Sequence, residues 1–278
     1  MRRVYGILHE LFEERGAEDT VFLLTTDLCP QHRSVTVKHI KERLKDGLPC
    51  RVVATQCIEA GVDLDFRVLY RALAPLDSII QSAGRCNRNG REALGRVVVF
   101  EPKDDDGRIY PDDCYGNAAK LVKLLVANGG IDINDPQDIK RYYGELFRGG
   151  RDRSELTRAI GEYDYKKVDE EYFLIKDTGA RVIVPYEGEQ ELYDESWTDI
   201  TKNGINAAWM KRLASITVTV FENGSLEEFF EPIYLRYRGR RGDKTSGFYV
   251  LRKQYEGFYS DDMGLQLPDA ACDRGAIF

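Results

Sequence analysis

The chain has 278 residues and a formal net charge of -7, with 42% hydrophobic and 31% charged residues. This composition is typical of a globular protein. It excludes a disordered chain and a general basic field for nucleic acid, so any nucleic-acid binding must be local. With three histidines and no C-x-x-C pair, we predict no metal site, and we interpret the six cysteines as reduced thiols of a cytoplasmic protein.

Helices and short apolar strands alternate in the first part of the chain. The N-terminal segment has an apolar stripe at helical spacing, but polar residues interrupt it. It therefore predicts an amphipathic helix and neither a signal peptide nor a membrane span. Near-continuous apolar strands that alternate with helices are typical of a parallel sheet covered on both faces. The predicted elements are strands at 20–27, 50–56, 66–73 and 95–102 and helices at 34–46 and 75–85.

This alternation stops after a charged, turn-rich break at residues 102–113. Two helices are predicted next, and short strands dominate the remainder, which indicates a smaller domain of mostly β character. We interpret the acidic run at 187–196 as a solvated loop. The predicted fold class is α/β, with a parallel sheet covered by helices, a helical linker and a smaller α+β domain. The elements are helices at 117–130, 136–150 and 204–214 and strands at 171–177, 180–187, 215–222, 231–238 and 246–255.

A polar segment at residues 54–66 follows a predicted strand. In an open parallel sheet, ligands bind beyond the carboxyl ends of the strands. Thr55, Gln56 and Asp63 offer a hydroxyl, an amide and a carboxylate there, and Gly61 allows a ligand to approach the backbone closely. The segment therefore predicts part of a ligand site.

A second polar segment, at residues 81–91, reads QSAGRCNRNGR and closes the helix at 75–85. The spacing of Arg85 and Arg88 predicts that they share one helix face. Their guanidinium groups match phosphate oxygens bidentately. A surface helix with solvated arginines is the alternative, but the presence of both polar segments in order on a parallel sheet favours a phosphate site.

The two segments resemble motifs V and VI of superfamily 2 helicases. The finer resemblance is to the CRISPR-associated helicase–nuclease of type I systems, and it covers about residues 25–101. It is carried by TTDLCPQHR at 25–33, APLDSIIQ at 74–81 and RCNR at 85–88, with a weaker similarity at 255–267. The region 110–250 is placed by its position alone.

This resemblance implies a division into an N-terminally truncated second RecA-like domain at 1–105, a helical linker at 106–155 and a C-terminal accessory domain at 156–278. Ser82 departs from the arginine that many superfamily members have after the motif VI glutamine.

The resemblance also implies residue roles. Arg85 and Arg88 are expected to be arginine fingers on the transferring γ-phosphoryl group of ATP, with Gln81, Gly61 and Asp63 at the nucleotide and Thr25, Thr26, His32, Arg33, Thr55 and Gln56 at single-stranded DNA.

The sequence contains no G-x-x-x-x-G-K-[ST] phosphate loop, no D-E-x-H stretch and no histidine–aspartate dyad. We therefore expect ATP with Mg²⁺ to be bound mainly by a first RecA-like and nuclease part, which acts in cis or in trans. We expect no ATPase activity from this chain alone. The resemblance further implies the CRISPR surveillance complex as a partner in antiviral defence, and no membrane.

Three alternatives stay open at the level of the sequence. The chain could be a non-catalytic DNA- or protein-binding module that regulates a full-length helicase, whereas a generic RNA helicase fragment is disfavoured by the motif details. His32 could cap a helix. The basic segment at 236–244 could line a single-strand path or form a solvated hairpin.

Overall fold

The computed structural model describes residues 2–59, 61–90, 93–103, 110, 113–148, 154–171, 179–221 and 226–268. Within these residues the chain forms two compact units. The first combines the residues up to Phe66 with those from Gly179 onwards, and the second lies between Arg67 and Glu171. The boundaries predicted from the sequence are a different division and stay a prediction.

The N-terminal part of the first unit is a parallel pair of strands with a helix before each strand. Its elements are α1 (Arg2–Glu13), β1 (Val21–Leu24), α2 (Pro30–Lys45) and β2 (Arg51–Ala54). Successive strand residues face opposite sides. Leu23 accordingly packs with Tyr5 on one side, and Leu24 packs with Ile40 on the other. Both faces of this pair are therefore covered, as predicted.

The second unit contains another parallel strand pair and a group of helices. Its elements are β3 (Val68–Ala72), α3 (Leu76–Ala83), β4 (Arg96–Phe100), α4 (Asp113–Ala127), α5 (Pro136–Arg148), α6 (Ser154–Gly161) and α7 (Tyr165–Glu171). Tyr142 of α5 is fully buried, and its hydroxyl accepts a hydrogen bond of 3.3 Å from the backbone N–H of Leu76 at the start of α3. This bond satisfies one of the donors that the first helical turn leaves without a partner.

The C-terminal part of the first unit is built on a four-stranded sheet with the strand order β6-β5-β8-β7. Strands β5 and β8 are parallel, and the other two pairs are antiparallel. Its elements are β5 (Gly179–Ile183), α8 (Gln190–Asn203), α9 (Ala207–Leu213), β6 (Thr217–Phe221), α10 (Leu226–Phe229), β7 (Phe230–Tyr237), β8 (Arg240–Leu251), β9 (Tyr259–Ser260) and β10 (Gly264–Leu265).

The fold class predicted from the sequence, mixed α/β, is confirmed. The interpretation of residues 187–196 as a loop is wrong, because α8 begins at Gln190 and buries Tyr193 and Ser196 completely. Its acidic residues belong to the outer face of an amphipathic helix. The strand predicted at 171–177 lies outside the described residues except for Glu171, which ends α7. No helix in the described part of the chain is both long enough and apolar enough to cross a membrane.

Candidate functional site

Two of the predicted site residues lie side by side at the carboxyl edge of the first strand pair. Leu24 and Ala54 are partners in the parallel register, so Thr25 and Thr55 leave the pair together. The backbone N–H of Thr55 donates to the carbonyl of Leu24 at 3.0 Å. The structure therefore brings the starts of the two segments 25–33 and 54–66 to one edge of the strand pair.

The loop after β1 is held by its own hydrogen bonds. Thr25 is buried, and its hydroxyl oxygen accepts a hydrogen bond of 3.3 Å from the N–H of Asp27. A nitrogen of the Arg33 guanidinium donates to the carbonyl of Leu28 at 3.0 Å and anchors the loop to α2. Thr26, between these contacts, is half-buried. This arrangement fixes the loop while leaving further donors on the Arg33 guanidinium.

The hydroxyl of Thr55 is buried and makes no hydrogen bond of ordinary geometry within the described residues. Such groups are uncommon in native proteins, because a buried hydroxyl without a partner costs about 1–3 kcal/mol. The loop that follows contains Gln56, which is half-buried, and Gly61 and Asp63, which are exposed. Gly61 has a φ of 76°, a left-handed conformation that favours glycine.

In the second unit, the two arginines do not share a helix face, and that prediction is wrong. Helix α3 ends at Ala83, and Arg85 and Cys86 continue in a tight turn through backbone bonds of 2.9 Å to residues three positions earlier. Asn87 then adopts a φ of 50°, which ends any helical continuation. Arg85 is 9% exposed, whereas Arg88 is exposed, as is Gln81 on α3.

Cys86 fixes this turn, which the sequence did not indicate. Its sulfur contacts the carbonyl oxygens of Arg67 and Arg96, both at 3.4 Å. A Cβ atom added at Gly95 would lie 2.8 Å from the same sulfur, so only glycine fits there. The turn is thereby attached to the amino ends of both β3 and β4, and Arg85 and Arg88 lie on either side of Cys86.

His32 lies inside the first unit and not at its surface. Its ring is 6% exposed and stacks on Tyr186, with centroids 4.8 Å apart and planes at 15°. Its Nδ1 is 3.0 Å from the hydroxyl oxygen of Tyr259, which also accepts a hydrogen bond of 3.1 Å from the N–H of Cys29. Burial lowers the pKa of His32, which favours the neutral ring. The capping alternative is wrong, since Cys29 occupies the N-cap of α2.

Residues 1–91 match the family model described as the C-terminal part of the CRISPR-associated nuclease/helicase Cas3. By sequence and by fold, the chain resembles the C-terminal part of Cas3. It is 38% identical over 104 residues to Cas3 of Haloferax volcanii, a match that covers 36% of this chain and 11% of that protein. It is 36% identical over 154 residues to Cas3 of Methanothermobacter thermautotrophicus, covering 55% of this chain and 17% of that protein.

Solved structures extend the resemblance in fold. The crystal structure of T. fusca Cas3 matches with a TM-score of 0.56 and 16% identity, over 89% of this chain and 34% of that chain. A chain of a CRISPR RNA-guided surveillance complex in a pre-nicking state matches with a TM-score of 0.56 and 17% identity, over 97% of this chain and 37% of that chain. The resemblance predicted from the motifs is confirmed, and the chain spans a minor part of each Cas3 relative.

Proposed function

We propose that this chain supplies the second RecA-like domain and the accessory domain of an ATP-driven DNA helicase and nuclease of type I CRISPR interference. The observation that carries this proposal is the turn after α3, which Cys86 attaches to the strand pair β3–β4 with Arg85 and Arg88 on either side. The similarity to Cas3 supports the proposal, which includes a cytoplasmic location.

In this proposal Arg85 and Arg88 are the arginine fingers of the enzyme. ATP and Mg²⁺ are held by the part of the enzyme that bears the phosphate loop, and the metal neutralises charge on the phosphates. The guanidinium groups stabilise the charge that develops on the γ-phosphoryl group, and the exposed Gln81, on the last turns of α3, contacts the nucleotide. Gly61 and Asp63, in the loop after β2, are further proposed nucleotide contacts.

The carboxyl edge of β1 and β2 is the proposed track for single-stranded DNA. Hydroxyl groups of Thr25, Thr26 and Thr55 bind backbone phosphates, and the amide of Gln56 adds a further donor. Arg33, which already anchors its loop to α2, directs its other donors to the same strand. His32 contributes by holding this loop from inside, and a direct contact of His32 with DNA remains a prediction.

The decisive experiment replaces Arg85 in the enzyme assembled with its phosphate-loop part. We expect Arg85→Ala to lower DNA-stimulated ATP turnover by roughly a thousandfold or more, the size of an arginine-finger contribution. The matched control is Arg158→Ala, because Arg158 is an exposed arginine of α6 whose ion pair, among the described residues, is with Glu162 just after that helix. Arg158→Ala is expected to leave turnover unchanged.

Two outcomes would contradict this assignment. If Arg85→Ala retains full turnover while the assembly still binds DNA, the chain is a non-catalytic binding module. If the isolated chain hydrolyses ATP, the expected dependence on a separate phosphate loop is wrong. The surveillance complex as docking partner is tested separately, by co-purification of the assembled enzyme with that complex.

A further inference from the structure

The hairpin between β7 and β8 carries a concentration of positive charge. Tyr237 and Arg240 are partners in the antiparallel register, so Arg238 and Gly239 alone form the turn. We call residues 236–244, which comprise this turn and the adjoining strand residues, the basic hairpin. Its basic members are Arg236, Arg238, Arg240, Arg241 and Lys244, against the single acidic residue Asp243.

The turn itself does not explain why an arginine occupies its first position. Arg238 has a φ of 49° and Gly239 a φ of 80°, and a two-residue turn with two positive φ values strongly prefers Asn-Gly. A non-glycine residue with a long side chain is unfavourable in this region. Arg238 therefore occupies a position that backbone chemistry would assign to asparagine, which points to a role for its side chain.

The cations of the basic hairpin also lack carboxylate partners. Within the described residues, Arg238, Arg240, Arg241 and Lys244 form no ion pair, although the chain has 47 acidic residues. Arg236 is different, because it binds Asp199 at 2.5 Å. Elsewhere in the described chain, exposed arginines such as Arg148, Arg158 and Arg212 do have acidic partners.

Aromatic rings are interleaved with these cations. The guanidinium carbon of Arg241 lies 3.9 Å from the ring centroid of Tyr234, and that of Arg238 lies 5.3 Å from the ring centroid of Tyr237. Tyr237 is 67% exposed. Unpaired guanidinium groups beside an exposed aromatic ring match a strand of phosphates that carries unpaired bases, because the bases stack on the ring while the cations follow the backbone.

We propose that the basic hairpin is a binding surface for single-stranded nucleic acid. Arg238, Arg240 and Arg241 bind backbone phosphates, and Tyr237 stacks on a base. This inference deepens the proposed function, on which it rests for its ligand class, and it adds a contact on elements separate from the edge of β1 and β2. An acidic protein surface would satisfy the cations but would gain little from the exposed ring of Tyr237.

The test measures binding of the full chain to a fluorescent oligothymidine strand over a range of salt concentrations. The hairpin variant combines Arg238→Asn, Arg240→Gln and Arg241→Gln, and the first of these improves the fit to the turn. The control variant combines Arg148→Gln, Arg158→Gln and Arg212→Gln, which removes the same charge from paired arginines. Circular dichroism verifies that both variants fold.

We expect the hairpin variant to reduce the slope of log K against log salt by about 2, since each phosphate contact with a single strand contributes about 0.7. The control variant should leave the slope unchanged. Tyr237→Ala should weaken binding to oligothymidine by roughly fivefold or more, and it should not affect an abasic strand of the same length.

Equal losses for the hairpin and control variants would overturn the proposal, because they would reflect net charge only. Displacement of the strand by poly-glutamate at equal charge, together with no effect of Tyr237→Ala, would assign the hairpin to an acidic protein instead. Failure here is distinguishable from failure of the proposed function, since the turnover loss of Arg85→Ala is measured independently of these residues.

Discussion

Tyr259 connects three residues that lie far from it in the sequence. Its hydroxyl accepts a hydrogen bond from the N–H of Cys29 and is 3.0 Å from Nδ1 of His32, while its ring packs edge-on against Tyr186. With the ring of His32 neutral, the Tyr259 hydroxyl donates its proton to Nδ1 and both partners are satisfied. At the scale of the residue, Tyr259 is what holds the start of α2.

Tyr259→Phe removes this hydroxyl and little else. We expect the free energy of unfolding of the first unit to fall by about 1–3 kcal/mol, because the buried N–H of Cys29 and Nδ1 of His32 lose their partner. Urea unfolding followed by tryptophan fluorescence reports on this unit alone, since Trp197 and Trp209 both lie in it. Tyr237→Phe, at an exposed tyrosine, is the control and should change stability by less than about 0.5 kcal/mol.

At the scale of elements, the short strands β9 and β10 secure the loop after β1. The N–H of Leu265 donates to the carbonyl of Asp27 at 2.9 Å. Gly264 precedes it with a φ of 69°, and a Cβ atom there would collide with the backbone of Asp27. The close approach of the two segments therefore requires glycine at this position, and it sets the path of the loop that bears Thr25 and Thr26.

Gly264→Ala is expected to separate these segments. It introduces both a strained backbone and a collision with Asp27, so we predict a loss of more than about 1 kcal/mol in the free energy of unfolding of the first unit. Gly257→Ala is the matched control in the same region, because a Cβ atom at Gly257 has no neighbour within 4 Å. Similar losses for the two variants would contradict the role assigned to Gly264.

At the scale of the whole molecule, the chain leaves the first compact unit after Phe66 and returns to it at Gly179. The strands β1 and β2 therefore share a unit with the C-terminal sheet, and β3 and β4 share one with the helices α4 to α7. His32 contacts Tyr186 and Tyr259 from the C-terminal part of the first unit, and burial among them lowers its pKa, which makes the stability of this unit depend on pH.

We predict that the first unit loses stability as the pH falls from about 7.5 to about 5.5, across the usual histidine pKa of about 6.5. Burial is the main cause that lowers the folded-state pKa of His32, and the backbone of Asp261 and the charge of Asp262 oppose it only in part. The unfolded chain therefore binds a proton in this range that the folded chain does not. In His32→Gln, the free energy of unfolding should depend less on pH, as measured by tryptophan fluorescence.

Local features of the sequence predicted much of the fold. Strands β1 to β4 were predicted from short apolar runs and from the glycine and proline residues around them. These signals are local, because each is set by residues that are adjacent in the sequence. Helix α8 was not predicted because its many acidic residues indicated a solvated loop. Within residues 187–196, its two buried positions, Tyr193 and Ser196, are too few to give a clear helical pattern. The helix face predicted for Arg85 and Arg88 failed because α3 ends at Ala83, before either arginine, and Asn87 between them adopts a left-handed conformation.

The sequence by itself determined the class of the fold, the resemblance to the CRISPR-associated helicases and the two polar segments, because these depend on local pattern and residue type. Only the tertiary structure decided that Arg85 is buried while Arg88 is exposed, and that His32 is internal. Burial is set by residues distant along the chain, and Tyr259, which binds His32, is 227 positions away from it. No local pattern contains that contact.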